Sequence, residues 1–481
     1  LAFKNRSCLL FLLSFSGAAC ISHIYDLRRD YSFGCENKIT GRDSEREGEM
    51  QKKTILAIVL MASLFSSSYL AGYYWISVTD ATPQETGLRR IIVISIDSCN
   101  PWYISSEYMP NLYGAISHDG VMYNYGETAL AAETQNGHTC LLCGAYPNST
   151  GIVGNGLYFP NNGTFIPVVT DPKFRLTKTI FEVLNETHPE VKTVFISGKW
   201  RLPQLLSSGA DLVFSSPKSG FPIPESYCAL VGEPITSNDG DVIDPWTFNA
   251  LLSVLEHDDP GFIFVNLAWT DSYSHRVGDD GNFDVRRHLS ELDNQFAILF
   301  AQMKRMGKYS STLFAIVSDH GMNSIRGVIN LSNLLRDNGI PFQGVHIEGG
   351  SAFLYFDDNI SRQSAITFLS ARPEISLIVP SENMSQIHLD TERWRRGDLY
   401  ISTVRGYTFL APGAPVSYMG DHGGIGAIRI VFVFVGAGIQ HPGRVLVGTP
   451  SIVDVLPTIA YAAGWPIPST AVGSVLDEVF A

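Results

Sequence analysis

The sequence predicts an α/β fold: a doubly wound, mostly parallel sheet in three layers, with a smaller inserted α/β subdomain. Three observations carry this. Short runs of β-branched and aromatic residues recur along the chain, and most lack polar alternation, as strands covered on both faces do. Stretches of helical spacing separate them, the pattern of crossover connections. The interval 325–412 breaks the rhythm with strand and helix candidates of its own.

The first run is 91–96 (IIVISI), followed by 193–197 (TVFIS), 262–268 (FIFVNLA), 313–318 (LFAIVS) and 427–435 (AIRIVFVFV). Helix-like stretches fall at 176–184, 246–256 and 283–306. The insertion offers strands at 350–356 and 398–409 and a helix at 363–371; the core resumes at 413, and 452–463 reads as a closing helix. The α/β core therefore spans 90–324 and 413–481, around an inserted cap at 325–412.

Upstream of this lies a different kind of sequence. Residues 1–49 read as an extension outside the folded unit. Met50, Lys52 and Lys53 then precede the apolar stretch 54–79, long enough to span ~30 Å of hydrocarbon. Segment 50–79 is either a signal peptide or a membrane anchor, and both send the following residues out of the cytoplasm. Residues 80–89 form a linker. Seven Asn-x-Ser/Thr sites suit an exported chain. Only Cys99, Cys140, Cys143 and Cys228 lie beyond the leader, too few for a disulfide scaffold. Cys140 and Cys143, at i and i+3 in an apolar run, read as two small buried residues on one helix face.

The formal net charge is −13. An acidic chain does not favour nucleic-acid duplexes as partners. It has no Gly-x4-Gly-Lys-Ser/Thr loop, and Gly436-Ala437-Gly438 reads as a plain turn rather than a dinucleotide site.

Chemistry gathers at the strand exits. The first strand ends in Asp97. The third is followed by Asp271 and His275, and the fourth by Asp319 and His320; His422 precedes the fifth. In a parallel sheet, ligands bind beyond the carboxyl ends of the strands. Acids gathered there repel one another, and a divalent metal relieves the repulsion; Asp with His is a zinc-type set. Thr134 opens the segment TQNGH, at the start of a helix-like run. It reads either as an N-cap or as a nucleophile at the mouth of this site.

The ordered motifs are ISID, TQNGH, Tyr146-Pro147 with GIVGN, DSYSH, SDHGM and DHGG. This set resembles the nucleotide pyrophosphatase/phosphodiesterase (type I phosphodiesterase) family of the alkaline phosphatase superfamily, from about residue 90 to the end. The resemblance implies an alkaline-phosphatase-like fold and two divalent metal ions, zinc by ligand type. Asp271, His275 and His422 would hold one ion; Asp97, Asp319 and His320 would hold the other, with Thr134 as nucleophile beside it. Asn155 and the backbone N–H of Gln135 would stabilise phosphoryl oxygens. The family commonly has Thr-Phe-Pro-Asn-His where this chain has Thr-Gln-Asn-Gly-His, so an aromatic residue is missing at 135. The loop Ser197–Arg201 (SGKWR) is similar to the lysine-bearing loop of phosphonoacetate hydrolases. Lys199 reads there as a contact for a substrate anion, or as a solvated strand-end charge.

The function expected is hydrolysis of phosphodiester or pyrophosphate bonds through a phospho-threonine, on a small phosphodiester, nucleotide or phosphonate substrate. The alternatives are a phosphonoacetate hydrolase-like or phosphomonoesterase enzyme, a head-group phosphotransferase, or a non-catalytic surface protein. The protein is expected to be exported, either tethered to the membrane through its N-terminal segment or secreted.

Overall fold

The computed structural model describes residues 87–279, 283–410 and 419–481. The upstream extension, the apolar segment and most of the linker lie outside the described residues. In chain order the central sheet begins with β1 (Arg90–Ile96), β2 (Gly120–Tyr123), β3 (Thr193–Ser197), β4 (Leu212–Phe214), β5 (Phe262–Leu267) and β6 (Thr312–Val317). A second sheet follows: β7 (Gly344–Glu348), β8 (Ser351–Tyr355), β9 (Ile375–Pro380) and β10 (Leu399–Thr403). The chain then rejoins the central sheet as β11 (Phe432–Gly436) and β12 (Arg444–Leu446). The central order is β12-β2-β11-β6-β1-β5-β3-β4. Strand β1 runs parallel to both β5 and β6, while β11 is antiparallel to both its neighbours.

The principal helices are α1 (Pro110–Asp119), α2 (Thr134–Cys143), α3 (Ile180–Thr187), α4 (Asp244–His257), α5 (Trp269–Val277), α6 (Phe283–Arg305), α7 (Leu331–Asp337), α8 (Asn359–Ser370) and α9 (Val455–Ala463). Alternate residues of β1 feed two cores. Ile91 and Val93 pack with side chains of α2, α3 and α9; Ile92, Ile94 and Ile96 pack with those of α1, α4 and α6. This is the three-layer arrangement, and it explains why β1 carries no polar alternation. Each buried Ile or Val there contributes ~1.5–3 kcal/mol.

Element ends follow local chemistry. Helix α3 starts four residues later than the sequence pattern suggests, because Thr179 and Glu182 form a capping box. Helix α2 stops at Gly144, which is left-handed with φ +63°. The predicted strand 398–409 is broken at Gly406, with φ +91°, into β10 and the short strand Tyr407–Phe409. The insertion is an antiparallel sheet of order β7-β8-β10-β9 with α7 and α8 packed on it. Two of its strands were not evident in the sequence. In β7 (GVHIE), His346 and Glu348 blur the apolar signal; β9 ends in Pro380, which only an edge strand tolerates.

Cys140 and Cys143 are both buried on α2 and free, as the spacing suggested.

Candidate active site

Three adjacent parallel strands bring their carboxyl ends together, and the side chains that follow them converge. Asp97 follows β1 directly. Asp271 and His275 sit one turn apart on α5, on the same helix face. Asp319 and His320 follow β6. His422 precedes β11, and a parallel strand would have placed it at the opposite edge. Because β11 enters antiparallel, His422 arrives where the others are.

The six side chains form two groups, Asp271–His275–His422 and Asp97–Asp319–His320; within each, one donor atom per residue lies within 4.8 Å of the others. In the first group, Asp271 Oδ1 lies 3.4 Å from His275 Nε2 and 3.6 Å from His422 Nε2. In the second, His320 Nε2 lies 3.2 Å from Asp319 Oδ2 and 3.8 Å from Asp97 Oδ1. Thr134 opens α2, is 2% exposed, and places Oγ1 3.3 Å from His320 Nε2.

The donor set fits cations. Asp97 Oδ1 is buried and accepts no hydrogen bond, which is costly for a carboxylate oxygen unless a positive charge meets it, and Asp319 Oδ2 meets only the imidazole nitrogens His138 Nδ1 and His320 Nε2, each 3.2 Å away. Burial, followed by repulsion from Asp319, pushes the Asp97 carboxyl up to about 7. Burial also opposes ionisation of Asp319, but the imidazoles of His320 and His138 outweigh it and hold that carboxyl at about 2. Two adjacent acids driven apart in this way mark a site short of positive charge. Burial likewise opposes the charge on His275, yet Asp271 outweighs it and raises the ring to about 9.

Asn155 and Gln135 meet directly: the Gln135 N–H donates to Asn155 Oδ1 at 3.0 Å. The Asn155 amide also donates to Glu133. Lys199 is 2% exposed, with Nζ 2.5 Å from Asp271 Oδ2 and 3.3 Å from Asp241 Oδ2. It is therefore not the solvated strand-end charge that was one of its two readings. A cavity of about 690 Å³ opens above these groups, lined by Thr134, Asn155, Lys199 and His422.

Three contributors escaped the sequence reading. Ser98 has φ +64°. This turns its Oγ to within 2.8 Å of Asp271 Oδ1 and 3.0 Å of His320 Nδ1, so it touches both groups. His138 contacts the Thr134 carbonyl at 2.8 Å, Ser95 Oγ at 2.9 Å and Asp319 Oδ2 at 3.2 Å. Its place one turn after Thr134 on α2 was the available signal. Glu133, next to Thr134 in the chain, lies 3.2 Å from His422 Nδ1; nothing in the sequence marked it.

A family model described as type I phosphodiesterase / nucleotide pyrophosphatase matches residues 91–423. The chain belongs to that family. Among curated relatives, bis(5'-adenosyl)-triphosphatase ENPP4 of Bos taurus is 24% identical over 254 residues, covering 51% of this chain and 51% of the relative. The chain thus spans about half the length of the curated relatives it matches first. Two solved structures show the same fold. The alkaline phosphatase PafA superimposes with a TM-score of 0.65 at 17% identity, covering 84% of this chain and all of its own. Phosphonoacetate hydrolase from Sinorhizobium meliloti 1021 does so with a TM-score of 0.64 at 20% identity, covering 78% of this chain and 96% of its own. Gln135, where the family commonly has an aromatic residue, is fully buried. Aromatic rings reach the cavity from elsewhere: Phe165 and Trp200 line it.

Proposed function

We propose that this protein hydrolyses phosphodiester or pyrophosphate bonds of a small substrate through a phospho-threonine at Thr134. The observation that carries this is the Thr134 hydroxyl, 3.3 Å from His320 Nε2, beside two buried acid–imidazole groups. Asp271, His275 and His422 would hold one divalent cation, and Asp97, Asp319 and His320 the other; zinc suits these ligands. When bound, such cations lower the pKa of an attacking hydroxyl and neutralise phosphoryl charge.

The chain's own residues do the rest. Thr134 Oγ1 forms a bond to phosphorus as the leaving-group oxygen departs on the opposite side. Water then displaces Oγ1, releasing the phosphorylated product and restoring the hydroxyl. The Asn155 amide faces the phosphoryl oxygens and stabilises their charge; the Gln135 N–H, expected to share that role, is instead taken by Asn155 Oδ1. Ser98 and His138 hold the ligands in place. Phe165 and Trp200 give a flat leaving group surfaces to pack against. That suits a nucleotide such as a dinucleoside polyphosphate, the class named for the bovine relative.

A second reading is a phosphomonoesterase or phosphonoacetate hydrolase-like enzyme. It is favoured by Arg201, which lines the cavity and makes no ion pair among the described residues. A free guanidinium there suits a substrate with a second anionic group. The test is metal analysis of the full chain with turnover of bis(4-nitrophenyl) phosphate, 4-nitrophenyl phosphate and phosphonoacetate. Two metals per chain and preference for the diester are expected. Preference for either of the others selects the second reading, and transfer to an added alcohol in place of hydrolysis selects a phosphotransferase.

Export is part of the proposal. Asn162, Asn185, Asn330, Asn359 and Asn383, all in glycosylation sequences, are exposed. The segment that would anchor or direct the chain lies outside the described residues. Among the described residues no helix is long and apolar enough to cross a membrane. The inserted cap borders the cavity through Ile347, Glu348 and Gly349, and we assign part of substrate selection to it.

A further inference from the structure

We infer that Glu348, at the end of β7 in the inserted sheet, is a positioning residue that aims Asn155 at the phosphoryl group. The inference rests on the phosphoesterase reading above. Glu348 is 193 residues from Asn155 in sequence, yet its Oε2 accepts the Asn155 N–H at 3.0 Å. Its Oε1 accepts the Gly156 N–H at 2.8 Å. Two successive backbone donors thus close on one carboxylate, and such charge-assisted bonds fix a turn firmly.

The turn is built to fit this acid. A Cβ on Gly154 would lie 2.6 Å from Glu348 Oε1, and one on Gly156 would lie 2.8 Å from the Ile166 carbonyl oxygen. Only glycine allows so close an approach on both sides of Asn155. The carboxylate is 4% exposed and has His346 Nε2 2.6 Å away, so its charge is spent on the protein before an anionic substrate arrives.

The Asn155 side chain is then tied at both ends. Its Oδ1 takes the Gln135 N–H, and its amide nitrogen donates one hydrogen to Glu133. An Asn amide has two hydrogens. The second is the donor left for a phosphoryl oxygen, and its direction follows from the backbone that Glu348 holds. The same stretch of the insertion also abuts the other side of the site. The Gly350 N–H donates to the His422 carbonyl at 2.6 Å, and a Cβ on Gly423 would lie 2.0 Å from the Glu348 carbonyl oxygen. A purely structural acid would affect stability alone; a positioning acid acts through Asn155.

The experiment is a double-mutant cycle of Glu348→Gln and Asn155→Ala in the full, metal-loaded chain. It reads kcat and KM for bis(4-nitrophenyl) phosphate, and the Kd of orthovanadate by calorimetry. Glu348→Gln is expected to lower kcat and weaken orthovanadate ~10–100-fold, at or below the cost of removing one oxyanion donor outright. KM should change little. The double variant should be no worse than Asn155→Ala alone, because residues acting as one unit are not additive. If Glu348→Gln does not fold, Glu348→Asp keeps the charge, shortens the reach and should give the same pattern. Full additivity, or wild-type kcat and orthovanadate affinity in the Glu348 variant, overturns the inference; so does a parent chain that binds no orthovanadate. Non-additive orthovanadate binding without any turnover keeps the positioning role and removes the phosphoesterase reading.

Discussion

His320 and His422, one from each acid–imidazole group, stack with ring centroids 3.9 Å apart and planes 28° apart. Burial lowers the proton affinity of both rings below the usual imidazole range. Both shifts favour the neutral ring, the form in which an imidazole can bind a metal. Two charged rings at this separation would repel. The contact makes the two groups neighbours in one site rather than separate clusters, so a substituent next to Thr134 faces both.

Thr134→Ala is expected to lower kcat by at least ~10³-fold, since the covalent path loses its nucleophile. Metal content should stay at the parent value, because all six acid and imidazole side chains remain. Paired kinetics and elemental analysis check this. Activity surviving in the variant would mean that water attacks directly.

His275→Ala separates the two groups. His275 touches Asp271 and is the most exposed of the six, at 22%. Its loss should remove one metal per chain and leave the Asp97–Asp319–His320 group loaded. Full occupancy in the variant would strike His275 from the ligand set.

The convergence of the six groups and Thr134 was legible because each sits at a strand exit or a helix start, where residue type and position reinforce one another. Chain direction was not legible. Nothing in the run 427–435 says that β11 enters antiparallel, and that reversal is what carries His422 to the shared edge. Ser98 and Glu348 were hidden for different reasons. A serine after an aspartate carries no pattern, and its role comes from a left-handed backbone. Glu348 lies on a strand whose polar residues masked it, and its partner is 193 residues away.

Ser98→Ala tests the link between the groups. The hydroxyl bridges Asp271 and His320, so its removal should weaken metal binding ~10–100-fold. Both sites should be affected, unlike in His275→Ala. Titration with zinc against a competing chelator reads this directly, and a loss confined to one site would show that Ser98 serves only that group.

Asp244 gives the pH dependence. It opens α4, is 3% exposed, and accepts the Trp269 N–H at 3.0 Å at the start of the helix bearing Asp271 and His275. Its Oδ2 accepts no hydrogen bond. Burial pushes the carboxyl up to about 7 from its ordinary 3.8. The folded state therefore holds this proton more tightly than the unfolded one. Below about 3.8 both states are protonated and folding bears no cost from this group. As pH rises towards 7, the unfolded chain ionises first and stability is lost. Above about 7 both are ionised and the full cost is present, bounded at ~4 kcal/mol by the displacement from 3.8. Asp244→Asn keeps the acceptor for Trp269 and removes the titration. The variant should therefore melt at a higher temperature than the parent at pH 8, with the difference shrinking towards pH 5. An equal difference at both pH values would show that Asp244 is ionised throughout and that its burial is compensated by the surrounding donors.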